Sequence, residues 1–181
     1  MSLGDRSRFG STPPHAPHPP PIVGVGGVVI DRAGAHPSVL LVKRGRPPGE
    51  GTWSLPGGKV NGGERLAEAL RREIVEETGL LVNQGPLVAV AEILTEAHHY
   101  VVLDYLCSVE GGQLHAGDDA RETVFVAVPD LPSYGVTGAV AEAVDRALAI
   151  LEGMPLDDGA ITDEPTENDD EPTSPAYPRP S

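Results

Sequence analysis

The sequence has a single cysteine, Cys107, among 181 residues. One thiol makes neither an internal disulfide nor a Cys-based zinc cluster, so a reducing, cytoplasmic setting is the expectation. Long apolar runs are also missing. The longest, Ile22–Ile30 (IVGVGGVVI), is nine residues and includes three glycines, far short of the roughly 20 that a spanning helix needs. No apolar h-region follows Arg6 and Arg8, where Pro13, Pro14, Pro17 and Pro19–Pro21 stand instead, so no secretory signal is read there. Basic charge is scarce as well: 13 Lys and Arg against 27 Asp and Glu leave a formal net charge of −14. That balance speaks against a surface that tracks a nucleic-acid polymer, and the short apolar runs speak against a membrane partner. Small phosphorylated substrates remain compatible, provided a cation stands between them and the carboxylates.

What is present is unevenly distributed. Six of 19 prolines fall in residues 1–21 and six more in residues 153–181. The C-terminal stretch holds eight acids and one base, whereas residues 22–152 carry 18 acids and 10 bases. Both ends are too rich in proline and too poor in apolar groups to pack. The expected organisation is a disordered Pro-rich arm (1–21), a folded domain (22–152) and a disordered, acidic, Pro-rich tail (153–181). A monomer and a homodimer both remain open.

Within the domain, Ile22–Ile30 and the β-branched Val39–Lys43 predict strands, and Arg44–Gly51 (RGRPPGEG) a loop. Trp53–Leu55 predicts a short extended piece that Pro56-Gly57-Gly58 breaks. From Glu64 to Thr78, Leu66, Leu70 and Ile74 recur every four residues and predict a helix, which Gly79 stops. Strands are expected at Leu87–Ile93, Tyr100–Val109 and Thr123–Val128, with Gly111-Gly112 as the turn between the last two. A final helix is expected over Gly138–Leu151. The order β-β-β-α-β-β-β-α predicts an α/β fold, a mixed β-sheet between helices.

The chemistry concentrates in Leu55–Leu80, LPGGKVNGGERLAEALRREIVEETGL. On a helix Glu73, Glu76 and Glu77 share one face. Glu76 and Glu77 also lie in the last turn, where the helix dipole opposes anions. A solvated acidic face tempered by Arg71 and Arg72 is one reading of such a cluster. A site for a hard, oxygen-seeking divalent ion, which offsets both repulsions, is the other.

The spacing around the acids favours the second reading. Gly58, Glu64, Arg72-Glu73-Ile74, Glu76-Glu77 and Gly79-Leu80 match G-x5-E-x7-R-E-U-x-E-E-x-G-U, where U is a bulky aliphatic residue, at all nine specified positions in 23 residues. The sequence thus resembles the Nudix (MutT-type) hydrolases over roughly residues 22–152, and its look is closest to the broad ADP-ribose pyrophosphatase-like group.

The resemblance implies an α/β/α sandwich and divalent-metal-dependent hydrolysis of the pyrophosphate bond of a nucleoside diphosphate linked to another moiety, of the ADP-ribose or NDP-sugar type. Mg²⁺ is the implied cofactor and Mn²⁺ its substitute. By the same resemblance Glu73, Glu76 and Glu77 are the metal-binding carboxylates, Gly57 and Gly58 supply backbone carbonyl ligands, and Glu64 and Arg72 orient the motif. The general base varies in this family; in the acidic loop Gly117–Glu122, Asp119 is the first candidate. Arg44, Arg46 and Lys59 are candidate contacts to the substrate's charge.

Two alternatives carry different implications. One is a house-cleaning (d)NTP pyrophosphohydrolase acting on oxidised nucleotides. The other is a non-catalytic nucleotide-binding or interaction module on the same scaffold, against which the intact Glu73, Glu76 and Glu77 set argues. Smaller features have plainer expectations. His98 and His99 should diverge, because neighbours on a strand point to opposite faces. Cys107 should be a buried small residue, and Trp53 a structural support beside the glycine turn.

Overall fold

The computed structural model describes residues 20–46, 49–95, 97–117, 120–154 and 161–163. The elements are β1 (Ile22–Asp31), β2 (Ser38–Arg44), β3 (Trp53–Ser54), β4 (Gly57–Lys59), α1 (Leu66–Thr78), β5 (Leu80–Leu94), β6 (His99–Gly112), β7 (Ala120–Ala127), a 3₁₀ segment (Val128–Tyr134), α2 (Gly138–Leu151) and β8 (Ile161–Asp163). The strand order is β3-β2-β1-β6-β5-β8, with β4 also pairing β1 and β7 also pairing β2. The sheet is mixed, because β1 runs parallel to β6 and antiparallel to β2 and β4.

Strand alternation divides the core into two layers. Val25 and Val29 of β1, with Tyr105 and Cys107 of β6, pack beneath Ala69, Leu70 and Ile74 of α1. Val28 and Leu106, on the other face, pack with Ala143, Val144 and Ala147 of α2. A helix therefore lies on each side, the α/β/α sandwich expected from the sequence. The apolar positions at 140, 144, 148 and 151 only partly describe α2's inner face. Its fully covered residues are mostly alanines (Ala139, Ala143, Ala147), and Leu151 is exposed.

Several expected boundaries shift. Gly57–Lys59 pairs with Gly24–Gly26 as a strand, although Pro-Gly-Gly suggests a break. Gly57 has a φ of +154°, and a Cβ there would lie 2.1 Å from the Val25 carbonyl oxygen, so glycine lets the two backbones approach. Gly111 and Gly112 do not form a turn between strands. They extend β6 and pair with Leu81 and Leu80, so β5 begins directly after α1. The C-terminal stretch expected to stay unpacked contributes β8, which pairs in parallel with Val90–Glu92. The physical reason is the open edge of β5, which offers hydrogen-bonding groups to a short β-branched segment.

Candidate active site

The sequence places Glu64 in the helix, whereas α1 starts at Leu66. Asn61-Gly62-Gly63-Glu64 turns back on itself: the Glu64 N–H donates to the Asn61 carbonyl at 3.0 Å, and the Asn61 N–H donates to Glu64 Oε2 at 3.0 Å. That turn aims the Glu64 carboxylate along α1 toward Arg72. Arg72 Nε donates to Glu64 Oε1 at 2.8 Å and Nη2 to Oε2 at 2.9 Å, a bidentate pair. Nη2 also donates to the Lys59 carbonyl at 3.1 Å, and Nη1 to Glu73 Oε1 at 2.7 Å and Glu76 Oε2 at 3.3 Å. One guanidinium thus joins the turn, β4 and two motif acids. The hydrogen bonds from Arg72 hold the Glu64 carboxyl down at about 2, and those to Glu64 and then Glu73 raise the Arg72 pKa further.

The other acids meet β4 directly. A Cβ at Gly58 would sit 2.4 Å from the Glu73 carboxylate, so Glu73 fills space that only glycine leaves open. The Gly57 N–H donates to Glu77 Oε2 at 2.8 Å. Glu73 and Glu77 therefore rest on adjacent glycines, while the Glu76 side chain is 58 % exposed. Among the described residues no three His, Cys, Asp or Glu side chains stand as a ready coordination cluster; Arg72 and the Gly57 N–H engage these carboxylates. The donor set is nonetheless all oxygen and suits a hard divalent cation.

The loop after β6 closes on the end of α1. His115 N–H donates to the Thr78 carbonyl and Gly117 N–H to the Glu77 carbonyl, both at 3.0 Å, satisfying carbonyls that a helix end leaves unpaired. A Cβ at Gly117 would lie 1.7 Å from the Glu76 carbonyl oxygen, and one at Gly79 would lie 2.1 Å from the His115 ring. Asp119 lies outside the described residues, but Gly117 before it and Ala120 after it are joined by a 3.2 Å hydrogen bond. The sequence reading missed His115 and this capping role; the glycines at 79 and 117 were its faint signal.

The basic candidates separate. Arg44, the last residue of β2, pairs with Ala120 at a register shift between β2 and β7. Arg46 is exposed just beyond it. Lys59 lies elsewhere, with Nζ 5.8 Å from the centre of the Tyr100 ring. Lys43 is engaged by Glu122 at 2.7 Å and stands 5.5 Å over Trp53, which meets Tyr134 edge-on. That contact gives Glu122 a structural partner and makes Trp53 the expected support. His98 stacks on Tyr100, whereas His99 pairs with Glu92 at 2.6 Å, so the two histidines diverge.

Two buried groups lie apart from these acids. Asp104 is 6 % exposed and occupies space above Gly26, where a Cβ would lie 2.0 Å from its Oδ1. Burial, and then the charge of Asp104, push the Cys107 thiol up to about 12, which leaves it an inert core residue.

The chain belongs to the Nudix family: the NUDIX domain profile matches residues 20–146. An ADP-ribose pyrophosphatase from Methanocaldococcus jannaschii is 38 % identical over 114 residues, covering 62 % of this chain and 65 % of that protein. An 8-oxo-dGDP phosphatase from Mus musculus is 34 % identical over 82 residues, covering 45 % of this chain and 24 % of that protein. The chain thus spans less than two thirds of one relative and about a quarter of the other. The crystal structure of a MutT NUDIX hydrolase from Burkholderia pseudomallei superimposes with a TM-score of 0.61 at 32 % identity, covering 70 % of this chain and 97 % of that one. No helix among the described residues is long and apolar enough to cross a membrane.

Proposed function

We propose that this protein hydrolyses the pyrophosphate bond of a nucleoside diphosphate linked to another moiety, with ADP-ribose the favoured substrate. The observation that carries this reading is the seating of Glu73 and Glu77 on Gly58 and Gly57, with Glu76 beside Glu73 on the Arg72 guanidinium. Glu73, Glu76, Glu77 and the carbonyls of Gly57 and Gly58 would hold Mg²⁺ or Mn²⁺, which supplies polarisation of the phosphoryl oxygens and a lowered pKa for the attacking water. Glu64 and Arg72 hold the acids in place. Asp119, between Gly117 and Ala120 in the sequence, takes the proton of the water. Arg44 at the end of β2, Arg46 after it and Lys59 on β4 bind the charge of the diphosphate. For ADP-ribose, one water adds across the P–O–P bridge and yields AMP and ribose 5-phosphate.

The substrate reading draws support from similarity to the Methanocaldococcus ADP-ribose pyrophosphatase. Similarity to the mouse 8-oxo-dGDP phosphatase favours a second reading, cleavage of oxidised nucleotides. The deciding experiment offers ADP-ribose, NDP-sugars, NAD-type dinucleotides and (d)NTPs, including 8-oxo forms, with Mg²⁺ or Mn²⁺, and separates the products chromatographically. AMP from ADP-ribose at the highest kcat/KM of the set is the expected result. Preference for an oxidised nucleotide moves the assignment to the second reading, and no metal-dependent turnover on the whole set overturns both.

A further inference from the structure

We propose that the outer edge of β5 over Val90–Glu92 is a strand-docking surface for the chain's own Ile161–Asp163, and that this docking keeps the edge from pairing with a second copy. β5 is 15 residues long and has β6 on one side, so its other side presents backbone donors and acceptors that invite a strand. The two halves of that edge differ. Between Leu81 and Ala89 the pairing with β6 slips three times, and Pro86 has no N–H to offer. Bulges and proline are both devices that spoil an edge for pairing. From Ala89 to Leu94 the register with β6 is unbroken, leaving one regular stretch without such protection. Leu94 at its end is 46 % exposed. β8 lies on this stretch, with Val90, Ala91 and Glu92 opposite Ile161, Thr162 and Asp163.

The covering segment lies beyond residues 20–146 that the family profile matches. Six residues join Met154 to Ile161. A tether that short gives an effective concentration on the order of millimolar, so a three-residue strand of its own chain outcompetes a second copy at micromolar concentration. In the sequence Asp157 and Asp158 precede β8 and Glu164 follows it, so a second copy bearing the same segment carries the same negative charges.

The test compares amide hydrogen exchange and light-scattering mass in the unaltered 181-residue protein and in Ile161→Pro, Thr162→Pro and a control, Thr173→Pro. Consecutive strand N–H groups point to opposite sides, so one of the first two removes a donor aimed at β5. In that variant the Val90–Glu92 amides facing away from β6 should exchange at least about tenfold faster, and the mass should rise with concentration beyond that of the unaltered protein. The control should change neither. Unchanged exchange in both strand variants overturns the docking, and faster exchange without a rise in mass overturns the guarding role. Neither readout depends on catalytic activity.

Discussion

Arg72 and Glu64 form a two-point pair, with Nε and Nη2 donating to the two carboxylate oxygens at 2.8 and 2.9 Å. The turn that bears Glu64 is thereby tied to the helix that bears the motif acids. Arg72 spends its remaining contacts on the Lys59 carbonyl, Glu73 and Glu76, so the pair sets where those carboxylates stand.

This pair makes stability depend on pH in a definite direction. The Glu64 carboxyl is lowered from 4.5 to about 2. A lowered pKa contributes stability that is fully present above the unfolded value and is lost as pH falls through the folded one. The contribution should therefore be intact above about pH 4.5 and disappear on the way down to about pH 2. Thermal melts of wild type and Glu64→Gln should differ at pH 6–7 and converge near pH 2; a constant difference across the range would mean that Glu64 acts through packing instead of charge.

Divalent metal should stabilise the folded protein by mass action, by about 2.7 kcal/mol at one hundred times the dissociation constant. Tm should rise with Mg²⁺ or Mn²⁺ in wild type and much less in Glu76→Gln. Glu76→Gln and Glu77→Gln should each lose about a thousandfold in rate, which corresponds to about 4 kcal/mol at the transition state. Equal metal-induced shifts in wild type and Glu76→Gln would remove the carboxylates from the metal site.

Gly58→Ala tests the seat of Glu73. The added Cβ would lie 2.4 Å from the carboxylate, so Glu73 must move. Overpacking of this kind costs about 1–3 kcal/mol, and displacing an active-site group by about 1 Å costs about 10²-fold in rate. Urea unfolding with kcat measurements should show both effects. Full turnover in a folded Gly58→Ala would show that Glu73's position is not critical.

Asp119→Asn separates the base from the metal ligands. As general base, Asp119 should account for about 10²–10⁴-fold in kcat at saturating substrate and metal, with the metal-induced Tm shift retained. Glu122→Gln should keep most of kcat, because Glu122 is paired with Lys43. More than about a third of wild-type kcat in Asp119→Asn would pass the base role to a motif glutamate; residues 120–122, expected as part of an acidic loop, belong to β7.

The helix and its inner face were legible from local pattern alone: Leu70 and Ile74 are both fully buried, and Gly79 ends α1 at φ +71°. These follow from side-chain periodicity and the backbone freedom of one residue, which are local properties. The motif spacing likewise puts Glu64, Glu73 and Glu76 within hydrogen-bond reach of Arg72. Long-range pairing made Pro-Gly-Gly continue into a strand, because Gly57–Lys59 acquires its hydrogen bonds from β1, more than 30 residues earlier. It also decided that His115 and Gly117 close the end of α1, and that Ile161–Asp163 leaves an acidic tail to pair with β5. In each case what settles the segment's place is a set of backbone groups presented by a distant element.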